Sequence, residues 1–217
     1  IKRHELKVLQ SQYMASYQKL GDHLDLYQIH SATLESGVLD NEEVLLCLNG
    51  LRKSGVMIGL SVSGPGQSET IEKAIAVEFE GERLFGSVQV TWNLLERSAE
   101  LAIAKAHAAG LSVIVKEGLA NGRLTARNNE ESFQDNLALL NQVATARQTT
   151  VDALALAAIL NQPWATTVLS GASTSDQMRS NMAALAVKWD EETNRQLLSL
   201  VETPAHYWQQ RSNLVWN

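Results

Sequence analysis

The chain has 217 residues, 45% of them hydrophobic and 19% charged, with a formal net charge of −6. This composition suits a folded domain that buries most of the surface its unfolded form exposes; it excludes a disordered chain, and the lack of a basic surplus argues against nucleic-acid binding. A single cysteine, Cys47, excludes an internal disulfide and a multi-thiolate metal site, and no apolar run reaches the roughly 18 residues of a membrane span, so a cytoplasmic protein without membrane partners is expected.

The chain opens on Ile1, and residues 2–18 already read as an amphipathic helix with Leu6, Leu9, Tyr13 and Tyr17 at helical spacing, so it is expected to begin inside a domain. A short strand-like run follows at 24–30, ending in His30, then a helical pattern at 41–53 and an apolar run at 56–62. The alternation continues with a helix at 67–80, a strand at 87–90, a helix at 98–109 and a strand at 111–115. A longer helical pair across 131–161 precedes the last strand, 166–169, and a helix at 174–185.

Runs too short for helices, apolar throughout and separated by helices, predict buried parallel strands joined by right-handed crossovers, an α/β fold. Gly21, Gly55, Gly86 and Gly110 each stand past a helical run and before a strand, where a left-handed helix cap is wanted. Five such units fit either an open doubly wound sheet or part of an eight-unit barrel. The one glycine-rich turn after a strand, Gly64-Pro65-Gly66, has Glu69 where a dinucleotide fingerprint needs its third glycine, which disfavours a Rossmann domain.

Every predicted strand ends in polar groups: His30, then Ser61 and Ser63, then Gln89 with Trp92 and Asn93, then Lys116 and Glu117, then Ser170, Ser173 and Thr174. In a parallel barrel such ends share one face, the face that carries catalytic groups. The last unit leaves its strand through a small-residue turn into a helix whose exposed amides suit an anion, with Gln177, Arg179 and Asn181 in its first turns. The alternative there is an N-cap by Ser173 or Thr174 on a solvated face.

Five segments, Asp25-Leu-Tyr-Gln-Ile-His30, Ile58-Gly-Leu-Ser61, Val88-Gln-Val-Thr-Trp-Asn-Leu-Leu-Glu-Arg97, Gly118-Leu-Ala-Asn-Gly-Arg-Leu-Thr125 and Gly171-Ala-Ser-Thr-Ser-Asp-Gln177 with Asn181, resemble the aldo-keto reductases in that family's order. The resemblance runs from the helix before the fourth barrel strand to the C-terminal helix. It implies a (β/α)8 TIM barrel, seen here as about five β/α units of one N-terminally truncated domain spanning 1–217. It also implies NADP(H)-dependent reduction of a small-molecule aldehyde or ketone. Hydride then passes to the carbonyl carbon while a tyrosine, aided by a lysine, an aspartate and a histidine, protonates the oxygen.

His30 matches the family's histidine; the other three residues of the tetrad belong to strands that this sequence does not contain, so the 217 residues alone are expected to be inactive. The resemblance assigns Ser61 and Gln89 to the nicotinamide carboxamide, with Asn93 supporting the adjacent loop. It assigns Gly118, Leu119 and Ala120 to the pyrophosphate, Arg127 to a phosphate, and Gly171, Ser173, Gln177 and Asn181 to the adenosine end.

Two departures from the family pattern stand out. Lys116, Glu117 and Gly118 occupy the place of an aromatic, a serine and a proline, so stacking on the nicotinamide is not expected there. Lys116 either meets a phosphate or pairs with Glu117. Ser180 replaces a glutamate that precedes the adenine-binding asparagine. Tyr207, Trp208 and Trp216 of the tail, with Trp92, are candidates for an apolar substrate mouth or for packing. The competing reading is a non-catalytic nucleotide-binding auxiliary subunit of the same fold.

Overall fold

The computed structural model describes residues 4–214. The chain divides into two compact units, one running to residue 90 and including 101–113, the other formed by 91–100 and the residues from 114 onward.

In the first unit, α1 (Leu6–Leu20) leads into β1 (Leu26–Ala32), followed by α2 (Glu42–Lys53), β2 (Met57–Val62), α3 (Gln67–Ile75), a hairpin of β3 (Glu78–Phe79) and β4 (Glu82–Arg83), and β5 (Ser87–Thr91). Most of α4 (Glu100–Ala108) belongs here as well. β2 pairs in parallel with β1 on one side and with β5 on the other. Its residues from Ile58 to Val62 are all buried, the run of apolar side chains that a parallel strand covered on both faces requires. Val44 and Leu48 of α2, Ile71 of α3 and Ile103 of α4 are fully buried, which supplies the covering layers.

The second unit takes in the end of β6 (Ser112–Lys116), then α5 (Gln134–Ala146), α6 (Val151–Leu160), β7 (Thr167–Val168), α7 (Ser175–Met182), α8 (Glu191–Gln196) and α9 (Pro204–Ser212). β6 and β7 pair in parallel through Ile114 with Thr167 and Val115 with Val168. α6 is apolar on all sides and buried from Val151 to Ile159 apart from Asp152, as a helix at the centre of a core must be. Thr150 starts it by accepting the Ala153 amide at 3.3 Å. The strands β1, β2, β5, β6 and β7 are thus the five parallel strands of an α/β fold.

Three expectations change. The helix predicted over 67–80 stops at Ile75, because Glu80 and Gly81, both with positive φ (56° and 80°), make the tight turn of the β3–β4 hairpin. Gly86 is not a left-handed cap: a Cβ there would stand 3.1 Å from Met57 Cγ, so close packing calls for the glycine. Gly55 and Gly110 do take positive φ, at 99° and 90°, past α2 and α4. Helices α8 and α9 were not anticipated, although Asp190 caps one and Thr203-Pro204 opens the other with proline in the first turn.

Candidate functional site

β1 does not end at His30. Its pairing with β2 matches Ile29 to Leu60 and resumes at Ala32 with Val62, so His30 and Ser31 together face the single residue Ser61. This is a β-bulge, a local kink that re-aims side chains, and it forces Ser31 into the left-handed region at φ 52°. The buried Ser31 amide donates to Ser61 Oγ at 2.8 Å. His30 is exposed, its Nε2 stands 3.3 Å from Ser31 Oγ, and its carbonyl lies 2.9 Å from the His4 ring. On the other side of β2, Ser61 is the register partner of Gln89 on β5. The first unit therefore sets His30 and Ser31, Ser61 and Gln89 opposite one another across three adjacent parallel strands. Ser31 and His4 are unforeseen there, since a bulge is a property of register and leaves no mark in the sequence.

In the second unit, β6 runs out into a loop with four positive φ angles: Glu117 at 56°, Ala120 at 47°, Asn121 at 55° and Gly122 at 98°. Asn93 holds this loop. Its Nδ2 donates at 2.9 Å both to the Glu117 carbonyl and to the Tyr207 hydroxyl, and its Oδ1 accepts from the amides of Leu95 and Glu96. Gly118 packs directly on α6; a Cβ there would lie 2.6 Å from Ile159 Cδ1. Ala120 is buried, and its amide donates back to the Glu117 carbonyl at 2.8 Å, so it shapes the loop from within.

The Glu117 carboxylate is gripped by Arg211 of α9, whose Nε donates to both oxygens at 3.1 Å and whose Nη2 donates to Oε1 at 2.6 Å. Burial of Glu117 opposes its ionisation, but the hydrogen bonds and charge of Arg211, with Lys116 and Asn121 adding, prevail and hold the carboxyl below its ordinary range. The Glu117 carboxylate is thus bonded by Arg211, a residue that sequence spacing gave no reason to single out, and by Asn121, whose Nδ2 donates to Oε2 at 3.3 Å.

Two clefts open beside this loop. One, of about 500 Å³, is lined by Lys116, Glu117, Gly118, Leu119, Arg127, Gly171, Ser173 and Gln177 among others. The second, of about 420 Å³, shares Leu119, Arg127, Gly171 and Gln177 and adds Asp152, Asp176 and Asn181. Thr174 and Gln177 form a capping box at the start of α7. Gln177 Oε1 accepts from the amides of Ser173 and Thr174 at 2.8 and 3.3 Å, leaving its Nε2 for a ligand. The next amides of the helix have no intrahelical acceptor. Asn181 donates to the Ser170 carbonyl at 2.9 Å, which leaves its Oδ1 as an acceptor. Arg127 is exposed in both clefts, whereas Arg179 is paired with Asp176 at 2.6 Å.

The aromatic residues do not line a mouth. Trp92 is fully buried, edge-on to Trp164 at 5.4 Å with the Arg97 guanidinium over its ring. Tyr207 and Trp208 are buried, and desolvation followed by the charge of Glu117 pushes the Tyr207 phenol far above its ordinary range. They pack the second unit; Trp216 lies outside the described residues.

The sequence model of the Aldo/keto reductase family matches residues 4–202. An NADH-specific methylglyoxal reductase of Escherichia coli (strain K12) is 26% identical over 200 residues, which cover 82% of this chain and 60% of the relative. An uncharacterized oxidoreductase of Bacillus subtilis (strain 168), YqkF, is 25% identical over 193 residues with the same coverage. The chain thus spans about 60% of the length of the curated relatives it matches. In fold it follows the holo form of the aldo-keto reductase AKR11C1 from Bacillus halodurans, with a TM-score of 0.74 at 24% identity over 93% of this chain and 69% of that one.

Proposed function

The chain belongs to the Aldo/keto reductase family, and we propose that it serves the NADP(H)-dependent reduction of aldehydes or ketones to alcohols. The observation that carries the reading is the bulge in β1, which presents the exposed His30 ring at the strand end beside Ser61 and Gln89.

Taken separately, each unit carries residues that suit one part of a nicotinamide dinucleotide. Ser61 and Gln89 are neutral and match the hydrogen-bonding needs of a carboxamide: the Ser61 hydroxyl accepts from Ser31 and keeps its own hydrogen to donate. In the second unit Gly118 and Leu119 line the cleft, Arg127 offers a cation to a phosphate, and Gln177 and Asn181 offer amide groups to the adenosine end. When bound, the dinucleotide supplies the hydride. His30 donates an imidazole N–H to the substrate carbonyl oxygen, orienting it and stabilising the negative charge that develops there. Ser31, beside Nε2, steadies the ring.

Preference for the 2′-phosphate form rests on Arg127, because Arg179 is engaged by Asp176. The relative named as NADH-specific makes the preference a point to test. The decisive experiment is a fluorescence titration with NADPH and NADH, joined to an assay of NADPH consumption by the whole protein with methylglyoxal and other small aldehydes. Binding together with carbonyl-dependent oxidation is the expected result. Failure to bind either dinucleotide would sink the reading, and binding without turnover of any carbonyl compound would favour the auxiliary-subunit alternative.

A further inference from the structure

We infer that Arg211, on the C-terminal helix α9, is a positioning residue that clamps the 117–122 loop in the shape needed to receive the dinucleotide's phosphates. The inference rests on the reading of that loop given above and adds a residue that no family motif supplied.

The loop closes on itself, the Ala120 amide donating to the Glu117 carbonyl at 2.8 Å and the Gly122 amide to the Leu119 carbonyl at 2.9 Å, but its backbone is strained. Glu117, Ala120 and Asn121 are non-glycine residues with φ between 47° and 56°, a region that side-chain-bearing residues avoid unless the surroundings impose it. From outside the loop, part of that support comes from one face of α9. Tyr207 and Arg211 are four residues apart, one helical turn, and both act on Glu117. Tyr207 does so through Asn93, which donates to the Glu117 carbonyl, and Arg211 does so directly on the carboxylate.

The guanidinium is itself fixed, lying over the Trp208 ring at 5.4 Å, and the Glu117 side chain is only 11% exposed. Two parallel donors from a planar fork set direction as well as distance, which a single ammonium cannot do. With carbonyl and carboxylate both held, Gly118, which lines the 500 Å³ cleft, stays packed against Ile159 of α6. Release of the carboxylate frees the loop to leave its left-handed conformation, and the wall of the cleft that Glu117 to Gly122 form loses its shape.

The test uses the full chain and three variants. Arg211→Met keeps the bulk over Trp208 and removes the fork, Arg211→Lys keeps the charge alone, and Glu117→Gln probes the pair from the other side should Arg211→Met not fold. Hydrogen exchange without ligand should show the 117–122 amides exchanging at least tenfold faster in Arg211→Met, with β1 amides unchanged. NADPH affinity should fall about tenfold, with Arg211→Lys between it and the wild type. In the whole protein the loss should appear in KM for the dinucleotide and leave kcat within about twofold. Unchanged exchange in the loop, or wild-type affinity in Arg211→Met, overturns the inference alone. Failure of the unaltered protein to bind NADPH or NADH overturns the reading of the cleft and carries the inference down with it.

Discussion

The backbone amide of Ser31 donates to Oγ of Ser61 at 2.8 Å, and this bond closes the bulge that presents His30. Both residues are buried, Ser61 at 4% exposure, so water cannot replace the acceptor if the hydroxyl is removed. Ser61→Ala is expected to cost about 1–3 kcal/mol, the penalty of a buried amide left without a partner. Urea unfolding should show a lower midpoint at constant slope. A midpoint equal to that of the wild type would show that the bulge closes without Ser61.

His30 itself is exposed and anchors no core, so its replacement separates chemistry from stability. His30→Ala in the whole protein should lower kcat for carbonyl reduction by about 10²–10⁴-fold, the usual range for a positioned proton-bearing group. Its unfolding free energy should stay within about 0.5 kcal/mol, as for other surface substitutions. Turnover within threefold of the wild type would remove His30 from the reaction.

All five parallel strands are readable in the sequence to within two residues. Burial on both faces explains this for β2 and β5, a constraint each carries within itself, whereas β1 and β6 are only partly buried and stand out as short apolar runs between helices. What escaped depends on partners. The bulge at His30 and Ser31 exists only in the register with β2. The clamp joins Glu117 to Arg211 across 94 residues, and neither has a neighbour in sequence that announces the other. Trp92 and Tyr207 drew attention as aromatics near polar strand ends, but their rings are spent on Trp164 and Trp208. The α7 capping box, by contrast, is a local pattern, and Thr174 was visible as a cap from sequence alone.

Dinucleotide choice should turn on Arg127 and Asp176. Arg127 lines both clefts and is exposed, so Arg127→Ala should weaken NADPH by about tenfold and NADH by less, since a charged hydrogen bond to phosphate is lost only where the extra phosphate is present. Asp176→Asn releases Arg179 from an exposed pair and costs little stability, about 0–1 kcal/mol. It should tighten NADPH severalfold. Fluorescence titrations of both variants with both dinucleotides check this; equal affinities of the wild type for NADPH and NADH would abolish the preference from which both predictions start.

Two buried carboxyls should give the unfolding free energy opposite responses to pH. Glu96 is 1% exposed and its pKa is raised, chiefly by burial, with nearby Glu202 adding, while hydrogen bonds from Ser98 counteract in part. The folded chain then holds this proton where the unfolded chain has lost it, so stability falls as pH rises from the ordinary glutamate range through the raised value. Glu117 is the reverse: held ionised by Arg211, it contributes stability above the ordinary range that is lost as pH falls through its lowered value. Urea midpoints taken from about pH 3 to about pH 8 on Glu96→Gln and Glu117→Gln resolve the two, because each variant minus wild type isolates one proton. Glu96→Gln should gain on the wild type as pH rises through that window. Glu117→Gln should show its largest deficit near neutrality and converge on the wild type in acid. Parallel pH curves for all three proteins would mean that neither carboxyl is shifted, and for Glu117 that the grip of Arg211 does not survive in solution.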